Sequence, residues 1–300
     1  MRAINAGHPE VEAEYPFKCT DHFNSLIRGK NDPLYRQVMP SGMELSGPGL
    51  RDPLAEERFM PVPGLVRRYP DRSLLLPTFE CFAYCRFCTR KRKWGKQSGF
   101  FDHLDRVFGY IASDKKIREA IVSGGDPLTL PDTKLELIVS RLARIKHVRV
   151  LRIATRCLTF EPSRVTAKTA AILARHPMVY FTTHFNHPGE ITALSEKKCS
   201  LLRAVGINLI NQSVLLKGVN DDLKTLMSLN RRLLENGIKP YALHQLDFTA
   251  SVQHFKVSVQ KGLKLIRDMR KNFTGIGIPH YVLDQPGGKG KIFPGYRRAR

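Results

Sequence analysis

"EAIVSGGDPLTLPDTKLELIVSRLARIKHVRVLRIATR", residues 119–156, holds one complete strand–helix–strand unit. EAIVSGG reads as a strand that ends in glycines. KLELIVSRLARI (134–145) carries its apolar residues at helical spacing, and VRVLRIATR (148–156) reads as the next strand. The alternation runs outward from there. Upstream lie a buried strand, SLLLPT (73–78), and a helix, FFDHLDRVFGYIASDKK (100–116). Downstream, the strands MVYFTTHF (178–185), INLINQSVLL (207–216), KPYALHQLD (239–247) and GIPHYVLD (277–284) are separated by helices at 163–176, 191–206, 221–237 and 258–273. Gly206 and Gly237 stop two of those helices. A strand followed by a helix, repeated every thirty or so residues, implies parallel strands joined by right-handed crossovers. The expected fold is α/β, a partial (β/α)6-type barrel. The opening residues, typified by SGPGLRDPLAEERFMPVPGL (46–65), are rich in Pro, Gly and mixed charge. They read as a mainly helical and looped extension over 1–65 that wraps a barrel over 66–300.

The chain has 300 residues, 42% hydrophobic and 25% charged, as expected of a globular protein. No apolar run is long enough to cross a bilayer, and the N-terminus lacks an apolar signal stretch, so no membrane association and a cytoplasmic location are expected. The net charge of +22 favours anionic ligands. A nucleic acid is one such partner, but the basic residues are spread along the chain, with local clusters at CRFCTRKRKWGK and GYRRAR.

The unusual polar residues fall at the C-terminal ends of the expected strands. They are SGGD (Ser123, Gly124, Gly125, Asp126), Arg156, His184, Gln212, Asp247 and Asp284. In β/α barrels that face builds the active site. Polar loop residues explain each position singly, but they explain the set poorly.

CFAYCRFCTRKR (81–92) follows the first of these strands and places Cys81, Cys85 and Cys88 in its loop. Zinc takes four protein ligands, or three and a water. The remaining cysteines, Cys19, Cys157 and Cys199, are isolated. Three thiolates on a four-iron cluster leave one iron open to a small molecule. The CxxxCxxC spacing, with Phe87 just before the third cysteine, resembles the radical S-adenosylmethionine (radical SAM) superfamily. That resemblance implies a [4Fe-4S] cluster on Cys81, Cys85 and Cys88, and S-adenosylmethionine on its open iron. Ser123, Gly124, Gly125 and Asp126, with His184 and Gln212, would then line the S-adenosylmethionine side.

VLDQPGGKGKI (282–292) presents Lys289 and Lys291 on a glycine loop. A lysine there can capture a carbonyl cofactor, a basic loop can hold phosphate, and a solvated turn needs neither. On that stretch alone the turn is the reading. In order along the chain, RRYPDRSLLLPTFECFAYCRFCTRKR, SGGDPL, THFNHPGEIT, NQSVLLKGVND, LDFTASVQHF and DQPGGKGK together resemble the lysine 2,3-aminomutase family. The resemblance implies pyridoxal 5′-phosphate on Lys291, with Lys289 standing where that loop has a glycine. It implies Arg68 and Arg72 on the cofactor phosphate, Arg90 on the substrate α-carboxylate, and Asp247 and Asp284 on the distal ammonium of L-lysine. The implied reaction is a radical 2,3-migration of the amino group to give β-lysine. It needs an electron donor such as flavodoxin or ferredoxin. Arginine, or lysine destined for an elongation factor, are the neighbouring substrates. No CxC or CxxC follows the PGGKGK loop, so no structural zinc is expected, and a homo-oligomer would differ from the family's usual one. Two other classes stay open: an RNA- or protein-modifying radical enzyme, and a non-catalytic Fe–S or zinc module.

Overall fold

The computed structural model describes residues 8–96 and 99–295. The last residues of the GYRRAR cluster lie outside that range. One nine-stranded sheet, in sequential order, organises the chain. Its strands are β1 (Leu65–Tyr69), β2 (Arg72–Thr78), β3 (Glu119–Gly124), β4 (Val150–Ala154), β5 (Val179–Thr183), β6 (Asn208–Leu215), β7 (Ile238–Gln245), β8 (His280–Gln285) and β9 (Gly290–Ile292). Strands β2 to β8 run parallel, and β1 and β9 fold back antiparallel on the two edges. The seven parallel strands are those expected from the sequence; the two edge strands were not expected.

Before the sheet, the short helices α1 (Pro9–Glu14), α2 (Asp21–Ser25) and α3 (Pro33–Val38) form the leading segment. The crossovers carry α4 (Leu104–Ser113), α5 (Asp132–Arg144), α6 (Cys157–Phe160), α7 (Ala167–Leu173), α8 (Ala193–Ala204), α9 (Leu223–Glu235) and α10 (Val259–Asn272). Their bounds follow from local chemistry. Asp222 and Ser258 cap α9 and α10 by accepting the N–H of Thr225 and Lys261. In α5, Leu135, Ile138, Val139 and Leu142 fall on one stripe and are all buried. They pack in one core with Ala120 and Val122 of β3 and Leu151 and Ile153 of β4. The alternate residues, Ser123 and Ala154 among them, turn to the barrel interior and line a cavity there. Among the described residues no helix is long and apolar enough to cross a membrane.

Two details of the sheet position the site. Gly124 and Gly125 end β3 hard against the end of β2, where a Cβ would lie 2.0 Å from the Thr78 carbonyl and 2.2 Å from that of Glu80. Gly124 also has φ of 118°, so only glycine fits comfortably. At the other edge the hairpin of β8 and β9 sets Asp284 opposite Lys291. The gap between the two sheet edges is crossed by side chains: Arg68 of β1 reaches Asp284, and the Lys291 N–H donates to the Tyr69 hydroxyl.

Candidate active site

A cavity of about 300 Å³ opens at the C-terminal ends of the parallel strands. Cys81, Cys85, Cys88 and Arg90 line it from the loop after β2. Ser123 to Asp126 reach it from β3, Arg156 from β4, His184 from β5, Gln212 from β6, and His244 and Asp247 from β7. The expected face is therefore the one on which these residues meet.

The three cysteines are free thiols at one end of this cavity. Burial pushes Cys88 up to about 11 and Cys81 well above its ordinary value, with the neighbouring thiols adding to the effect. Such thiols keep their protons until a cation takes the proton's place, and three thiols lining one cavity are soft donors of the kind an iron–sulfur cluster takes, although among the described residues no three ligating side chains close on one metal-ion position. Arg156 donates from Nη1 to Cys85 Sγ at 3.0 Å. Its other nitrogens are held by the His184 carbonyl at 2.9 Å and by Glu190 and Gln37 at 3.2 Å. Asp126 is buried and internally engaged. Its oxygens accept from the Thr155 hydroxyl and from the N–H groups of Arg156 and Leu128 at 2.7–3.0 Å. It therefore shapes the glycine turn from within. His184 is held neutral by burial and by the nearby Arg156, and contacts Asn186 through Nε2. Gln212 lines the wall beside it.

Toward the β8–β9 edge the chemistry changes from thiol to ion pair. Asp284 accepts from Arg68 Nη2 at 2.7 Å, and the Lys291 ammonium lies 3.9 Å from its other oxygen. Asp247 shares this environment. Burial first, and then the negative charge of Asp284, push its carboxyl up to about 7. Lys291 is lowered chiefly by desolvation, and Asp284 opposes that shift. Lys289 and Lys291 are both exposed, and Lys291 is the one set opposite Asp284 in the hairpin. Arg72 stacks 3.8 Å above the Tyr69 ring, and Arg68 lies 5.1 Å from the same ring. The expected phosphate arginines therefore share one tyrosine, with the Lys291 backbone hydrogen-bonded to it.

Two residues with expected ligand roles are paired within the chain. Arg68 is ion-paired to Asp284, so neither is free in the chain as it stands. Arg90 is gripped by Glu56, with Nη2 2.6 Å from Oε1. Glu56 went unnoticed in the sequence beside a second glutamate in AEER, and Tyr69 because VRRYP draws the eye to its arginines.

No family profile matches the chain. An L-lysine 2,3-aminomutase of Acetoanaerobium sticklandii is 41% identical over 285 residues, spanning 92% of this chain and 69% of the relative. The chain belongs to the lysine 2,3-aminomutase family. As a lysine 2,3-aminomutase family member it is an enzyme of the isomerase class. A glutamate 2,3-aminomutase of Clostridioides difficile is 37% identical over 294 residues, spanning 96% of this chain and 70% of its own length. Names built on lysine and on glutamate thus both occur among the relatives, and likeness alone does not choose between them. A radical SAM methyltransferase from Sphaerobacter thermophilus superposes with a TM-score of 0.50 at 18% identity, over 73% of this chain and 68% of its own. That likeness is one of fold, and the sheet described above is the partial barrel of radical SAM enzymes.

Proposed function

We propose that this family member moves the α-amino group of L-lysine to C3, using a [4Fe-4S] cluster, S-adenosylmethionine and pyridoxal 5′-phosphate. The observation that carries the reading is the acid pair, Asp247 and Asp284, set beside Lys291 in a chain of charge +22. The cysteines would hold the cluster, and Lys291 with Arg68 and Arg72 would hold the pyridoxal phosphate. Together those cofactors supply a carbon radical and an electron sink. The reductant would be a small one-electron donor of the flavodoxin or ferredoxin kind.

The residues fit such groups by charge. In the chain alone, Asp247 and Asp284 face two cations, Arg68 and Lys291. Pyridoxal phosphate held by Arg68, Arg72 and Lys291 would draw those cations away from the two acids. Two desolvated carboxylates then demand a cation, which a distal ammonium provides and a glutamate side chain does not. Arg90 lines the same cavity as Asp247, and there it would meet the α-carboxylate. A longer cationic side chain such as arginine's needs a wider gap between the acids.

Two measurements test this. Adding pyridoxal phosphate, reducing with borohydride and mapping peptides should place the pyridoxyl group on Lys291. A label on Lys289 instead would remove the assignment, and Lys291→Ala should carry none. The second concerns pH. The Asp247 carboxyl titrates near 7 in the ligand-free chain. A cationic side chain needs it ionised, so below that value each bound ligand must expel a proton. Affinity for lysine should fall about tenfold per pH unit as pH drops from 7 to 5. Asp247→Asn should flatten that profile and lower affinity by about 2–5 kcal/mol. Calorimetric binding across that pH range gives both quantities; a flat profile in the unmodified protein would refute the pocket.

A further inference from the structure

We infer that Glu56 is the positioning residue for Arg90, holding one edge of its guanidinium so that the other edge stands open to a carboxylate. This rests on the amino-acid reading above. Glu56 comes from the loop before β1, and its side chain is 7% exposed. Both of its oxygens lie 3.0 Å from Arg90 Nε, and Oε1 lies 2.6 Å from Nη2. That is the side edge of the fork. Arg90 Nη1 donates to the Gly124 carbonyl at 3.0 Å, and the Arg90 backbone N–H donates to Cys88 Sγ at 3.3 Å. A guanidinium has five N–H donors. Glu56 takes one on Nε and one on Nη2, while Nη1 donates to the Gly124 carbonyl at 3.0 Å and, at 3.5 Å, to the Ser123 hydroxyl. One Nη2 donor remains, and together with the Nη1 donor that Ser123 holds only at long range it can grip a carboxylate with two parallel hydrogen bonds.

The partners also set the charge. Arg92 approaches Glu56 at 3.9 Å, but its nearer anion is Asp52 at 3.0 Å. Glu56 therefore chiefly offsets Arg90 and keeps a buried cation paired between substrates. A guanidinium without that anchor could swing toward the thiols or to the Asp247 side. With the anchor, its open edge keeps one direction, and the carboxylate end of a substrate is fixed relative to the acid pair at the other end. Glutamine at position 56 is the sharpest perturbation, because its amide nitrogen would confront donors with a donor. Aspartate keeps the charge and shortens the reach.

The test compares two ligands on the full-length protein carrying its own cofactors. L-lysine has the carboxylate, while L-lysinamide keeps both amines and replaces the carboxylate with a neutral amide. Equilibrium dissociation constants are measured for the unaltered chain, Glu56→Gln, Glu56→Asp, Arg90→Gln and the Glu56→Gln/Arg90→Gln pair. Glu56→Gln should weaken lysine by roughly 10- to 100-fold and lysinamide by no more than about threefold. Glu56→Asp should recover part of the loss. The double variant should bind lysine no worse than Arg90→Gln alone, since Glu56 acts through Arg90. In turnover, kcat/KM for lysine should fall further than kcat. If Glu56→Gln weakens both ligands alike, Glu56 merely supports the fold and the inference is overturned. If Glu56→Gln keeps the full preference for lysine, it is likewise overturned, and the amino-acid reading stands. If the unaltered protein shows no preference between the two ligands, the amino-acid reading itself fails and takes the inference with it.

Discussion

Cys85→Ala should yield a folded chain with no turnover at all. The two halves of that expectation have separate causes. Cys85 Sγ accepts one hydrogen bond, from Arg156 Nη1 at 3.0 Å. Removing it leaves Arg156 with the His184 carbonyl, Gln37 and Glu190, so a buried cation stays paired. The cost to the fold is then that of one charge-assisted hydrogen bond and a small void, about 2 kcal/mol. For function the loss is total. Among the described residues no other cysteine lines the cavity to replace the missing thiol, and a cluster already short of one protein ligand would be short of two. After anaerobic reconstitution the variant should bind little iron, show no cluster absorbance and leave S-adenosylmethionine uncleaved, while its circular dichroism matches that of the unaltered chain. Undiminished cleavage would end the assignment of the three thiols. The same outcome is expected at Cys81 and Cys88, which line the same cavity wall.

The parallel strands were legible because each alternates with an amphipathic helix, and burial on one face imprints the period on the sequence. Leu135, Ile138, Val139 and Leu142 show this within one element. The cavity wall was legible for a topological reason: once the strands are parallel, their C-terminal ends meet, and Ser123, Arg156, His184, Gln212 and Asp247 come together without further information. The edges were less legible. Strand β1 carries Arg67, Arg68 and Tyr69, whose polarity hides it, because two of its side chains face cross-cleft partners rather than a core. Strand β9 is three residues long, set between a glycine turn and the chain's last segment. Least legible were the pairs. Arg68 meets Asp284 from 216 positions away, and Arg90 meets Glu56 from 34. No local pattern encodes which acid finds which base.

Glu44 is a third such residue, and its loss should damage the fold more than any other single change considered above. Glu44→Gln is expected to cost about 3–5 kcal/mol, the range for breaking a fully buried ion pair. Its side chain and that of Arg86 are 0% exposed, and Lys91 is 2% exposed. Arg86 donates to Glu44 from Nε at 3.0 Å and from Nη2 at 2.6 Å, and Lys91 donates to the same carboxylate. One anion thus serves two cations. Glutamine would leave both with neutral acceptors only: its own single amide oxygen, the carbonyls of Tyr15 and Pro16 for Arg86, and those of Arg86 and Ser251 for Lys91. An exposed pair would be worth well under 1 kcal/mol, so burial decides the magnitude. The pH dependence identifies the cause. Burial already lowers Lys91 to about 8, with Glu44 opposing. Without Glu44 it falls further, while the unfolded chain keeps its lysine near 10.5. Between the folded and unfolded values the unfolded state binds more protons, so stability rises with pH. That window begins lower in the variant, so its deficit should shrink as pH climbs toward 8. Urea denaturation at pH 6 and at pH 8.5 measures the difference, and an equal deficit at both would show that Lys91 is not the buried cation at fault. Arg86 and Lys91 flank Cys88 in the sequence, and Glu44 belongs to the leading segment. The same substitution should therefore loosen the cysteine loop, and the variant should lose reconstituted iron faster than the unaltered chain at pH 6.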